Sequence, residues 1–79
     1  MMIQKESPRY GETLPNGASV LRSTSDTVLA FWIKGSKAEY ITWKYRVENG
    51  KIQTYFGNYY RDYTAANEDL TYRTGQFPV

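Results

Sequence analysis

Residues 39–60 read EYITWKYRVENGKIQTYFGNYY, two alternating segments joined by Asn49-Gly50. Asn-Gly suits a two-residue type I′ turn, because both central residues must take positive φ and these two do so at little cost. With the loop confined to those two residues, the register follows by counting. Glu48 faces Lys51, Val47 faces Ile52, Tyr45 faces Thr54, Trp43 faces Phe56 and Ile41 faces Asn58. Side chains alternate with period two, so every pair after the first shares one side, and that side is expected to be the core. The other side collects Tyr40, Thr42, Lys44 and Arg46 from one strand and Gln53, Tyr55, Gly57 and Tyr59 from the other. It is aromatic and basic, and nothing in its pattern requires burial.

Upstream, Ser19–Thr24 alternates weakly and Thr27–Ile33 is a β-branched and aromatic run, which together read as a second hairpin turning at Ser25-Asp26. The run places Leu29, Phe31 and Ile33 on one side and Val28, Ala30 and Trp32 on the other, and its unbroken apolar character marks an interior strand. Should Trp32 share a face with Tyr40 and Tyr59, that face needs a cover, either another chain or the N-terminal arm. Lys34-Gly35-Ser36-Lys37 has the character of a connection to the central hairpin. A phosphate-cradling loop would need a different glycine spacing and a following helix.

Residues 1–18 carry Pro8, Gly11, Pro15 and Gly17 among charges and read as an extended arm, with Pro15-Asn16-Gly17 as a tight turn into the first strand. After Tyr60 the pattern becomes helical over residues 62–75. Asp62 or Thr64 can cap, Tyr63, Ala66 and Leu70 fall on one face, Arg73 suits the last turn, and Gly75 ends the helix. So short a helix is marginal alone and must pack Ala66 and Leu70 on the sheet. Residues 76–79 form a tail expected to fray. The expected fold is a single α+β domain: a four-stranded antiparallel sheet over residues 19–60, a meander of two hairpins, with one short C-terminal helix packed on one face.

Composition narrows the chemistry. Seventy-nine residues allow one small core, and a domain of this size buries only about 60–65% of its unfolded surface. The absence of cysteine removes disulfides and thiolate metal sites, and the absence of histidine removes the commonest zinc ligand and general base. Asp62, Glu68 and Asp69 form the one carboxylate cluster, and a place near the start or on the outer face of the helix is the expected structural reason for acidic residues there. A phenol of pKa near 10 with no neighbouring base is a poor catalyst at neutral pH. No enzyme activity, cofactor or metal is expected. The longest apolar run, Val28 to Ile33, is far short of a bilayer span, and the start of the chain has no signal-like apolar stretch, so a cytoplasmic protein without membrane contact is expected.

The net charge of +2 is too small to mark a nucleic-acid footprint on its own and too positive for a wholesale DNA mimic, so charge decides neither. What remains is the aromatic and basic face. Trp32, Tyr40, Lys44, Arg46, Tyr55 and Tyr59 are the expected partner-contact residues, Tyr, Trp and Arg being the types enriched at protein-interface hot spots. RNA or single-stranded DNA binding is the alternative, since rings for stacking beside cations for phosphates serve single-strand binders too. A homodimer that buries this face or an unpaired edge strand is a third option.

The runs Tyr10-Gly11-Glu12-Thr13-Leu14-Pro15-Asn16-Gly17-Ala18, Tyr40-Ile41-Thr42-Trp43 and Gly57-Asn58-Tyr59-Tyr60, with Ala66, Asp69, Leu70 and Arg73, carry a resemblance. Together they are similar to small accessory proteins of phages, prophages and other mobile elements. In that group a Gly-His-Tyr-Phe strand and an Asp-Phe-x-x-Arg helix end are commoner, where this chain has Asn58 and Leu70. The resemblance implies a bacterial host cytoplasm. It also implies an inhibitor of host defence of the anti-CRISPR or anti-restriction type, which works by occluding a surface on a nucleic-acid-processing complex.

Overall fold

The computed structural model describes residues 8–75. Four strands, β1 (Ser19–Ser23), β2 (Thr27–Lys34), β3 (Lys37–Glu48) and β4 (Lys51–Tyr60), form one antiparallel sheet in sequential order, followed by helix α1 (Tyr63–Arg73). The α+β meander with its single short C-terminal helix is as expected. The first seven residues of the arm and the whole of the tail lie outside the described residues.

The central turn has Asn49 at φ 53° and Gly50 at φ 75°, the positive pair that a type I′ hairpin requires. Counting from it holds through Glu48↔Lys51, Val47↔Ile52, Arg46↔Gln53, Tyr45↔Thr54 and Lys44↔Tyr55. It then fails. Two residues of β4, Phe56 and Gly57, oppose Trp43 alone, and Thr42 pairs with Asn58 while Ile41 pairs with Tyr59. Phe56 makes the bulge at φ 55°. The extra residue shifts the end of β4 by one position, so Tyr59 joins the Ile41 and Trp43 side, and Asn58 and Tyr60 move to the opposite side. The expected pairs Trp43–Phe56 and Ile41–Asn58 are therefore replaced.

Both faces of the sheet are covered. One carries Val20, Val28, Ala30, Ile41, Trp43, Tyr45 and Ile52, and the N-terminal segment closes onto it with Leu14 and Ala18, 2% and 0% exposed. That segment is anchored by backbone bonds from Gly11 N–H to Val20 O and from Val20 N–H to Glu12 O, both 2.8 Å. Its turn places the positive φ on Gly17 rather than Asn16, with Asn16 Oδ1 accepting from the Ala18 N–H at 3.0 Å. The arm thus lies on the side expected to be core.

The helix takes the other side. Ala66 and Leu70 pack there on Leu29, with Leu21, Tyr40 and Tyr60 around them. This reverses the expectation, which left the Tyr40, Thr42 and Lys44 side open. The reason is complementarity. A helix whose inward residues are Ala66, Asp69, Leu70 and Arg73 fits a face of Leu29, Thr42 and Lys44 better than one of Trp43, Tyr45 and Ile52. Asp62 is the cap, with its Oδ2 accepting from Ala65 N–H at 3.0 Å.

Candidate functional site

Helix α1 has 11 residues and is about 16 Å long, whereas β3 with 12 residues runs about 40 Å. The helix reaches from Lys44, whose Nζ donates to Arg73 O at 2.7 Å, to Tyr40, whose ring meets Tyr63 edge-on at 5.9 Å. Beyond Tyr40 the β2–β3 hairpin continues through Ile33↔Ala38 to Lys34↔Lys37. That end of the sheet has no helix over it.

Two carboxylates hold the helix down, Asp26, which is buried, and Asp69, which is partly buried. Asp69 Oδ2 accepts from Thr42 Oγ1 at 2.6 Å and Asn58 Nδ2 at 3.1 Å. Arg73 Nη1 donates to the oxygen and hydroxyl of Thr42 at 2.9 and 3.0 Å, and its Nη2 donates to Phe56 O. Burial works to raise the Asp69 carboxyl, but the bonds from Thr42, Asn58 and Tyr60 and the charge of Arg73 outweigh it and hold the pKa below 3.8. Burial also raises the Tyr60 phenol above its usual 10.0, helped by its bond to the Asp69 carboxylate. At the other end, Asp26 Oδ2 accepts from Lys44 Nζ at 3.2 Å and Gly75 N–H at 2.9 Å. Burial again raises this carboxyl, but Thr27, Gly75 and Lys44 together lower it below its ordinary value.

These contacts dissolve the expected partner face. Lys44 is 3% exposed and committed to Asp26 and the helix end, so it presents no charge to a visitor. Tyr40 is half-buried between Phe31 and Tyr63. Arg46 and Tyr55 stand past the other end of the helix, with the Arg46 guanidinium 5.8 Å above the Tyr55 ring and 3.7 Å from Glu48. Trp32 and Tyr59 lie on the opposite side, where they form a three-ring cluster with Trp43 at centroid distances of 5.8 to 6.5 Å. The six residues fall into three places.

The helix-side surface of the uncovered end is apolar. Tyr10, Leu21, Phe31, Tyr40 and Tyr63 line a groove of about 380 Å³. The sheet continues from Phe31 to Ile33, which is 67% exposed, and Tyr10 at the groove wall is 80% exposed. Of these, Tyr40 alone was expected at a contact surface. Tyr10 escapes a periodicity argument because it comes from the arm, and Tyr63, which periodicity places on the packing face with Ala66 and Leu70, stands instead at the groove wall where the helix begins. Ile33 was assigned correctly to the Phe31 side, but nothing local shows that the helix stops short of it.

Among the described residues there is no group of three metal-ligating side chains and no helix long and apolar enough to cross a membrane. No protein family, curated protein or solved structure matches the chain.

Proposed function

We propose that this chain is a non-enzymatic protein-binding module whose contact surface is the tyrosine-rich groove at the β2–β3 hairpin end. One observation carries it: Ile33 and Tyr10 expose apolar surface beside the half-buried rings of Phe31 and Tyr40, at the place where the helix ends. Contiguous apolar surface of this kind marks interaction sites, and tyrosine supplies large contact area at low cost in conformational entropy. The residues that form the resemblance to mobile-element accessory proteins are mostly used inside the fold. Thr42, Asn58, Asp69 and Arg73 clamp helix to sheet, which leaves the groove free for a partner. The mode of action proposed for it, occlusion of a surface on a host nucleic-acid-processing complex, comes from the resemblance.

The test is affinity enrichment from a bacterial lysate with the native chain and with a Tyr10→Ser, Ile33→Ser double variant. Both positions are largely exposed, so the variant keeps its melting temperature within a few degrees. A protein enriched by the native chain and lost with the variant supports the groove. Equal enrichment by both, or by neither, removes it. Light scattering that shows a dimer dispersed by the same double variant would assign the groove to a second copy instead.

A further inference from the structure

We infer that the opposite face of the same hairpin end is a site for the phosphate backbone of a single-stranded nucleic acid. Lys34, Lys37 and Arg61 are its phosphate contacts, and Tyr59 is the ring on which a base stacks. These cations, with Ala38 and Glu39, line an open cleft of about 470 Å³. Lys34 and Lys37 are direct cross-strand partners, an arrangement in which like charges repel. Lys44, Arg46 and Arg73 each lie within 4.0 Å of a carboxylate, but among the described residues no such ion pair forms at Lys34, Lys37 or Arg61. Glu39 lines the same cleft, and its Oε1 accepts from Trp32 Nε1 at 2.9 Å, which orients it toward the indole. The Lys34 ammonium stands 4.5 Å over the Trp32 ring, which positions the charge without neutralising it.

The stacking surface adjoins these charges. Tyr59 is 54% exposed, and its ring is backed by Trp32 and Trp43 at 6.4 and 6.5 Å. A half-exposed ring packed against two indoles, close to cations that form no ion pair among the described residues, combines the two elements by which single strands are bound without sequence preference. The contacts come from side chains and not from a glycine-rich backbone cradle, which is why the Gly35-Ser36 turn carries no phosphate-loop signature. An acidic peptide would satisfy the cations but offers a stacking partner for Tyr59 only where its sequence supplies one, whereas every nucleotide carries a base with a π-face.

The site is independent of the groove, with which it shares no residue. The test is fluorescence anisotropy of a labelled oligothymidylate of about twenty nucleotides titrated with the full chain. Three phosphate contacts, at a salt exponent of roughly 0.7 each for single strands, predict an affinity about twentyfold weaker at about 200 mM than at about 50 mM salt. Lys34→Gln with Lys37→Gln, and separately Tyr59→Leu, should each weaken binding about tenfold with an unchanged far-UV spectrum, whereas Arg46→Gln leaves it unchanged. Absence of binding at low salt overturns the proposal, as does undiminished binding by the lysine variant. Equal competition by polyglutamate would assign the cleft to an acidic protein partner and likewise overturn it.

Discussion

Gly57 lies directly under the indole of Trp43: a Cβ placed on Gly57 would stand 2.5 Å from Trp43 Nε1 and 2.9 Å from its Cδ1. Trp43 is 6% exposed and in contact with Trp32 and Tyr59, so the ring has nowhere to retreat. The bulge at Phe56 and the cover over Gly57 are therefore one feature. Arg73 completes it by binding the Phe56 oxygen from the helix.

Gly57→Ala should accordingly destabilise the fold by about 1–3 kcal/mol, the usual cost of forcing an added carbon into a packed site. In a domain of this size that lowers the melting temperature by roughly 4–24 °C. Thermal unfolding followed by circular dichroism measures it. A melting temperature equal to that of the native chain would mean that the indole is not seated on the strand.

Lys44 and Arg46 sit two residues apart on the same face of β3 and should respond very differently. Lys44→Ala strands the buried Asp26 carboxylate and one carbonyl at the helix end, for an expected loss of about 3–5 kcal/mol. The Arg46 and Glu48 side chains are 63% and 56% exposed, an exposed pair contributes about 0–1 kcal/mol, and the solvent-exposed contact with the Tyr55 ring adds at most a similar amount, so Arg46→Ala should cost well below the loss at Lys44. Urea denaturation of the two variants makes the comparison. Equal losses would show that burial of Lys44 is not what separates them.

Acid should unfold the protein through Asp26 and Asp69. Both carboxyls titrate below their ordinary value of 3.8 in the folded chain, so the unfolded chain binds protons first as pH falls. Their contribution is complete above the unfolded pKa. It starts to fall about one pH unit above 3.8 and is lost as pH drops through the lowered folded values. A series of melting temperatures from neutral pH to about pH 2 measures this, and Asp69→Asn, less stable at neutral pH, should show a shallower acid limb. An acid limb as steep in that variant as in the native chain would place the proton-linked group elsewhere.

The sequence by itself determined the elements and their order. A type I′ turn, a β-branched run and a stop at Gly75 depend on backbone angles that neighbouring residues set, and all three stand where local chemistry puts them, while of the two possible caps, Asp62 and Thr64, Asp62 is the one used. Alternation also assigned Val28, Ala30 and Trp32 to one side of β2 and Leu29, Phe31 and Ile33 to the other, as observed.

Only the tertiary structure decided which face meets which cover. Phe56 holds a positive φ that disfavours its side chain, and its carbonyl bond comes from Arg73, 17 positions along the chain, so no local rule signals the slip at Asn58 and Tyr59. Both sides of the sheet carry enough apolar area to be buried. The choice fell to the polar residues of the helix, because Asp69 and Arg73 could be buried only where Thr42, Asn58 and Tyr60 satisfied them. That pairing placed the helix, and the length of the helix left the hairpin end bare.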